Sequence, residues 1–138
     1  MGTFIGVEST VTYGTDSRAW LWGPHGTEPG TTPSIVLDIS SFTAATHYPN
    51  GQIPSGTVLG KITASGLYGP YDNAATDGRQ TAAGILFSFV VPKPDTTKDI
   101  GGAMLVHGFV NPAKLPFATG AGALDAAARV ELPLIYFA

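Results

Sequence analysis

The three histidines of the chain are the first residues that could bind a metal ion or transfer a proton. His25 lies in a Gly/Pro-rich segment, His47 in a turn sequence and His107 in the strand-like sequence MLVHGFV. No two of them have the close spacing of a helical zinc-binding motif. We therefore expect no metal site, and we interpret His107 as a histidine at the edge of the core.

Two carboxylates within residues 67–86, LYGPYDNAATDGRQTAAGIL, could form an acid–base pair. Such a pair needs surroundings that separate the pKa values of the two groups. Asp72 and Asp77 instead each precede a turn-forming residue, so we predict that their side chains bond to nearby backbone. We interpret Arg79 and Gln80 as the exposed start of a strand rather than as ligand-binding residues.

Motifs of common catalytic and nucleotide-binding sites are absent from the sequence. There is no Gly-x-Ser-x-Gly elbow, and GTVLGK has Ile62 where a phosphate loop needs a hydroxyl for Mg²⁺. We therefore predict no catalytic residue, no cofactor and no enzymatic activity. A small β-barrel hydrolase, a rival class, would need a nucleophile, a base and an orienting group that converge.

The composition describes a chain with little charge. Of its 138 residues 12% are charged and 43% are hydrophobic, the net charge is −3 and there are no cysteines. So few charges indicate that other protein covers part of the surface. The balance of charge predicts no binding to nucleic acid or to a membrane. Without a membrane-spanning run or a secretory signal, we expect a soluble protein made inside a cell.

Glycine and proline divide the chain into short elements. The 18 glycines and 11 prolines separate apolar runs without a regular period, which is typical of short strands joined by tight turns. We predict an extended arm and linker over residues 1–33 and a β-rich body over residues 34–138. One short helix is expected within residues 122–132, with Asp125 near its start. Strands are expected within residues 34–40, 57–63, 66–71, 81–91, 101–110 and 134–138.

Two tryptophans stand two residues apart in the predicted arm, in the sequence AWLW. On a strand, Trp20 and Trp22 would point to the same side. Burying an aromatic side chain contributes about 1.5–3 kcal/mol, so we expect both to dock on protein. Docking on a second protein and docking on the core of this domain remain open as alternatives.

Taken together, residues 53–86 resemble the bacteriophage head decoration protein family, the lambda-type capsid-stabilising proteins. The shared pattern runs from Gly-x-Val-Leu-Gly through Tyr-x-Pro-Tyr-Asp and Ala-Ala-x-Asp-Gly to Thr-Ala-Ala-Gly-Ile-Leu. The Ala-rich helix and the final IYF also resemble the C-terminus of that family. The likeness extends over residues 34–138.

This resemblance implies a mainly β fold, a compact small β-barrel or β-tulip-like body with one short C-terminal helix and an extended N-terminal arm. It implies a homotrimer, made in the host cytoplasm, that binds the major capsid protein on the outer surface of an expanded phage head. There the trimer would stabilise the head against internal DNA pressure, and its arm would add a strand to a capsid sheet. Residues 72–78, DNAATDG, would be a structural turn between two strands of one sheet.

We predict two sets of contact residues. Apolar side chains of the arm are expected to contact the capsid: Phe4, Ile5, Val7, Val11, Tyr13, Trp20 and Trp22. Apolar strands of the body are expected to form the trimer interface, or alternatively the core of the body itself: Phe87, Phe89, Val91, Leu105, His107 and Phe109. A different class, a carbohydrate- or host-surface-binding head module, would use Tyr68, Tyr71 and Trp20 as exposed stacking platforms.

Overall fold

The computed structural model describes residues 18–27, 32–49, 51–92 and 99–138, and this part of the chain is mainly β, as predicted. Its strands are β1 Ser34–Leu37, β2 Val58–Lys61, β3 Tyr68–Pro70, β4 Ala82–Leu86, β5 Ile100–Leu105, β6 Gly108–Val110 and β7 Ile135–Phe137. Its helices are α1 Ala44–His47 and α2 Ala126–Glu131, with 3₁₀ turns at Ile39–Ser41 and Pro112–Lys114. No helix within these ranges has the length and apolar character needed to cross a membrane.

Strands β1 to β5 close into a barrel in the order β1-β3-β2-β4-β5. The β1–β3 pair is parallel and the other pairs are antiparallel. Because β2 pairs with β3 on one side and with β4 on the other, the DNAATDG segment returns the chain to the same sheet. This confirms the prediction that these residues form a structural turn.

The interior of the barrel is filled by side chains that the strands direct inward. On β1, buried Ile35 and Leu37 alternate with exposed Val36, which is the period of a strand with one buried face. The interior cluster consists of Ile35, Leu37, Ile39, Phe42, Ile53, Leu59, Leu86, Val90 and Met104. The barrel is therefore a packed core rather than a channel.

A second core covers part of the outer wall of the barrel. Val58 and Leu59 are neighbours on β2 and point to opposite sides, yet both are fully buried. The outer cluster consists of Trp20, Val58, Tyr71, Ala82, Ile85, Leu105, Val110, Ala128, Leu132 and Ile135. These residues come from the barrel wall, from α2, from the parallel β6–β7 pair and from residues 18–27, which we name the N-terminal segment. Together they bury that side of the wall.

Helix α2 is held on the barrel by the residue that caps it. Asp125 Oδ1 accepts a hydrogen bond from the Ala128 N–H and another from the Tyr71 hydroxyl, each over 2.8 Å. One carboxylate therefore caps the helix and ties it to the wall. Burial, and then the neighbouring Asp125 carboxylate, raise the pKa of Tyr71, which keeps the hydroxyl protonated as a donor. The predicted helix is confirmed, and it begins at Ala126.

Two strands are shorter than the apolar runs that predicted them. The run over residues 81–91 forms a strand only to Leu86, because the next carbonyl, that of Phe87, accepts hydrogen bonds from the side chains of Arg18 and Ser55. The run over residues 101–110 divides into β5 and β6 before Gly108, whose φ of +149° redirects the chain. Helix α1 was not predicted, since a single turn carries too little periodicity to be recognised.

Replacing Tyr71 with Phe tests the link between α2 and the barrel. Tyr71→Phe keeps the ring and removes the hydrogen bond to a charged acceptor, so we expect the free energy of unfolding to fall by about 1–3 kcal/mol. Chemical denaturation followed by circular dichroism measures the change. Tyr136→Phe is the matched control on an exposed ring and should alter stability by less than about 0.5 kcal/mol. Equal losses in the two variants would contradict this role of Tyr71.

Candidate protein-contact face

Three chain segments lie side by side over the second core. Strands β6 and β7 are parallel, with Phe109 opposite Tyr136. On the other side of β6 the N-terminal segment runs antiparallel: Leu21 pairs with Val110, and the Trp22 N–H donates to the Phe109 carbonyl over 3.1 Å. Because side chains alternate along extended backbone, each segment directs one set of residues to the core and another away from it.

The side that faces away from the core carries three exposed aromatic residues, Trp22, Phe109 and Tyr136, which we name the aromatic face. Their side chains are 58%, 43% and 63% exposed. The Phe109 and Tyr136 rings meet edge to face with their centroids 6.0 Å apart. Exposed Leu134 lies two residues before Tyr136. A row of exposed aromatic side chains is typical of the centre of a protein–protein interface.

Sequence reasoning identified this face only in part. Trp22 and Phe109 were predicted as contact residues for two different partners, and Tyr136 was not predicted. The signal for Tyr136 is the alternation in IYF, where Ile135 is buried and the next side chain must point away. What the sequence does not reveal is that β7 pairs with β6 and that Leu21 and Trp22 extend this small sheet.

Trp20 is a core residue of its own domain, at 1% exposure. Its indole N–H donates to Ser55 Oγ over 3.1 Å, and its carbonyl accepts from the Asn111 N–H over 2.7 Å. Trp20 and Trp22 do not share a side, because a turn closed by the Leu21 N–H and the Arg18 carbonyl precedes the extended part. Of the two alternatives for Trp20, the structure shows docking on the domain's own core. Trp20 is therefore removed from the residues expected to contact the capsid.

The part of the predicted arm that the structure describes lies against the body. Arg18 Nε donates to the Phe87 carbonyl over 2.8 Å, and the Arg18 guanidinium lies 4.2 Å from the centroid of the Phe87 ring. Trp22 is exposed on the aromatic face. The remaining arm residues predicted to contact the capsid lie outside the described residues: Phe4, Ile5, Val7, Val11 and Tyr13.

The residues predicted for the trimer interface differ in exposure. Leu105 is fully buried in the second core, so it is a core residue, as the alternative for this set allowed. Val91 and Phe109 are the exposed members, at 45% and 43%. The half-buried members are Phe87, Phe89 and His107. Fewer of these residues are exposed for contact between copies than the apolar runs predicted.

Asp72 and Asp77 serve the turn between β3 and β4. Asp72 Oδ1 accepts from the Ala74 N–H over 3.0 Å, and Asp77 Oδ1 accepts from the Arg79 N–H over 3.2 Å. Burial works to raise the pKa of Asp77, but hydrogen bonds and positive charge from Arg79 outweigh it and hold that pKa below its ordinary value. These contacts confirm the prediction of turn residues that bond to nearby backbone.

Two cavities of the described structure lack the side chains that a catalytic site needs. One of about 410 Å³ is lined by Lys61, Thr63, Gly78, Gln80, Thr81, Ala82 and Ala83. A smaller one includes His47, whose Nδ1 accepts from the Thr43 N–H, so that Nε2 must donate to the Ala121 carbonyl. Neither lining brings together a nucleophile, a base and an orienting group. Within the described ranges, no group of three or more His, Cys, Asp or Glu residues could hold a metal ion.

Two histidines that are far apart in sequence meet beside the aromatic face. The ring centroids of His25 and His107 are 4.7 Å apart, and the His25 ring lies 5.3 Å from that of Phe109. Sequence reasoning missed this pair because their spacing matches no local motif. The repeated His-Gly dipeptide, at residues 25–26 and 107–108, is the one signal that the sequence contains.

The stacking residues proposed for a carbohydrate-binding module are not exposed as that hypothesis requires. Trp20 and Tyr71 are each 1% exposed, and Tyr68 is half-buried. A sugar ring cannot stack on a buried aromatic face, so this residue set is wrong. An aromatic platform for such a ligand would have to be the aromatic face instead.

Comparison with known proteins gives one family. The family model described as bacteriophage lambda head decoration protein D matches residues 40–134. No curated protein and no solved structure matches the chain. The matched range contains β2 to β6 and α2, whereas Trp22 and Tyr136 lie outside it. Two of the three residues of the aromatic face are therefore features of this chain that the match does not cover.

The two tryptophans are expected to respond differently to the same substitution. Trp20→Phe removes the hydrogen bond to Ser55 and leaves unfilled volume, so the free energy of unfolding should fall by about 1–3 kcal/mol. Trp22→Phe should change it by less than about 0.5 kcal/mol. Denaturant titration measures both, and the fluorescence of Trp22→Phe, which retains only buried Trp20, should lie at the shorter wavelength. The assignment of Trp20 as buried and Trp22 as exposed would be contradicted if Trp22→Phe lowered the free energy of unfolding by more than about 1 kcal/mol while Trp20→Phe left it unchanged.

Proposed function

Because the chain belongs to the bacteriophage lambda head decoration protein D family, and so has a role in decorating the phage capsid, we propose that it works as a trimeric cement protein. It binds the major capsid protein on the outer surface of the expanded head, after synthesis in the host cytoplasm. There it stabilises the shell against the pressure of the packaged DNA. The family match carries this proposal, and the aromatic face supplies a physical means of attachment.

We propose that the aromatic face turns toward the capsid. Trp22, Phe109 and Tyr136 are large side chains that remain in water in the single chain, so covering them on binding is favourable. Aromatic residues are enriched at the centres of protein interfaces, where they account for much of the binding free energy. The low charge of the chain also lowers the cost of removing water from this surface.

The arm is proposed as a second capsid contact. Residues 3–7 and 10–13 consist largely of strand-forming types, and they precede Arg18, which is docked beside the second core. An extended segment can add a strand to an exposed sheet edge, with backbone hydrogen bonds for affinity and apolar side chains for specificity. In this proposal Phe4, Ile5, Val7, Val11 and Tyr13 are the apolar contacts.

Trimerisation explains how weak contacts could add to firm attachment. Ordering one arm residue costs about 1–2 kcal/mol of conformational entropy, so a single arm binds modestly. Three linked arms act at high effective concentration, and their avidity can exceed single-site affinity by about 10²–10⁴. We propose that copies meet through exposed Val91 and that the aromatic face contacts the capsid.

Stabilisation of the head follows from thermodynamic linkage between binding of the trimer and expansion of the shell. A ligand that binds one state of a receptor and not another shifts the equilibrium toward the bound state. If the receiving surfaces exist only on the expanded shell, each bound trimer stabilises that shell. The protein would therefore act through binding alone.

A second candidate function is a carbohydrate- or host-surface-binding head module. The observation that favours it is the clustering of three exposed aromatic residues on one open face. This module would bind glycans as the free protein, without capsids. Glycan binding by the isolated chain that Trp22→Ser abolishes would support this candidate over the first.

Deleting residues 1–17 tests the arm. This deletion keeps Trp20 in the core, so we expect a folded body with nearly unchanged thermal stability and a loss of binding of about tenfold or more. Co-sedimentation with expanded and immature heads, together with solution mass, measures binding and trimer formation. The full-length chain should sediment only with expanded heads. Full binding by the shortened chain would show that the arm is not the docking element.

Replacing residues of the aromatic face tests the second contact. Trp22→Ser and Tyr136→Ser each remove an exposed aromatic ring. We expect binding to expanded heads to weaken at least about tenfold, which corresponds to about 1.4 kcal/mol, because aromatic residues are enriched among the few that dominate the binding free energy of an interface. Val36→Ser, on an exposed side chain of the barrel wall, is the matched control and should bind normally. Loss of binding in the control alone would place the contact on the barrel instead.

A further inference from the structure

Two His-Gly dipeptides pack against each other next to the aromatic face. A Cβ atom at Gly26 would lie 1.8 Å from the His107 carbonyl oxygen, and one at Gly108 would lie 2.8 Å from the His25 carbonyl oxygen. The φ values of Gly26 and Gly108 are +85° and +149°, in the region that favours glycine. Each glycine therefore admits the carbonyl of the opposite histidine, and no larger residue would allow the two turns to meet.

This reciprocal contact brings two imidazoles to one place. Their centroids are 4.7 Å apart and their planes are inclined by 56°. With a Zn–N distance of about 2.1 Å, an ion lies about 3.2 Å from the centroid of a ring that binds it. Two rings that share an ion would then have centroids about 4.5 Å apart at the 90° N–metal–N angle of octahedral or square-planar sites, and about 5.2 Å apart at the tetrahedral angle. The observed separation of 4.7 Å lies within this range.

We propose that His25 and His107 form a binding site for a transition-metal dication of the Zn²⁺, Ni²⁺ or Cu²⁺ type. Neutral imidazole nitrogen is a preferred ligand of these ions. His25 is exposed, so an ion can reach the pair from solvent. Two protein ligands leave the other coordination positions to water, and such a site binds more weakly than a closed site with four ligands.

The bound ion would connect parts of the chain that are distant in sequence. His25 belongs to the N-terminal segment that also contains Trp22, whereas His107 precedes β6. An ion shared between them would fasten this segment to the body, in addition to the contacts of Arg18 and Trp20. Metal binding would thereby stabilise the arrangement that forms the aromatic face.

The test uses the untagged full chain and Zn²⁺ or Ni²⁺ alone. We expect calorimetry to detect binding of one Zn²⁺ per chain, and Zn²⁺ to raise the thermal midpoint by a few degrees. Ni²⁺ should broaden the NMR ring signals of His25 and His107. The signals of His47 should stay sharp, because both of its ring nitrogens are bonded to backbone.

Substitutions distinguish this site from other metal-binding groups. His25→Ala, at an exposed position, should fold normally, weaken Zn²⁺ binding at least about tenfold and abolish the thermal shift. Removing a residue that only hydrogen-bonds to a metal ligand already lowers metal affinity about 10–100-fold, and removing the ligand itself should lower it at least as much. Trp22→Ser, in the same segment, should bind Zn²⁺ like the unmodified chain. Unchanged affinity in His25→Ala, equal broadening of all three histidines, or no binding at millimolar Zn²⁺ would each overturn the proposal.

Discussion

Burial of the Trp20 indole joins the N-terminal segment to the barrel, and the outer half of the structure depends on it. The indole N–H donates to Ser55 Oγ, and the Ser55 hydroxyl in turn donates to the Phe87 carbonyl over 2.8 Å. Gly56, with a φ of +97°, makes room for the ring, because a Cβ there would lie 3.0 Å from it. Burial of such a side chain contributes about 1.5–3 kcal/mol, and an unpaired indole N–H would cost about 1–3 kcal/mol. With Trp20 in place, the residues that follow it pair with β6.

The location of the aromatic face follows from that pairing. The barrel fills its own interior, and the second core uses the inward residues of β6, β7 and the N-terminal segment. The alternate residues of these three segments have no element packed over them in the described structure, and three of them are large aromatics. An apolar surface of this kind is unfavourable in an isolated chain and useful in one that attaches to other protein. This exposure is the physical reason for proposing that the aromatic face contacts the capsid.

The N-terminal segment brings several features of the chain together within a few residues. Arg18 and Trp20 anchor it, Trp22 contributes to the aromatic face and His25 meets His107. Residues 1–17, the proposed arm, directly precede this segment in the sequence.

What the sequence determined by itself is local. The apolar run SIVLDIS and the alternating run TVLGKIT predicted strands, Asp125 before an alanine run predicted α2, and Asp72 and Asp77 beside turn formers predicted a turn. These features depend on neighbouring residues, so spacing along the chain reveals them. The tertiary structure alone decided which apolar residues are core: it buried Trp20 and Leu105 while exposing Trp22 and Tyr136. It also paired His25 with His107. The burial of these residues and the contact between the two histidines depend on which distant segments pack together. Residue type and local spacing do not specify that packing.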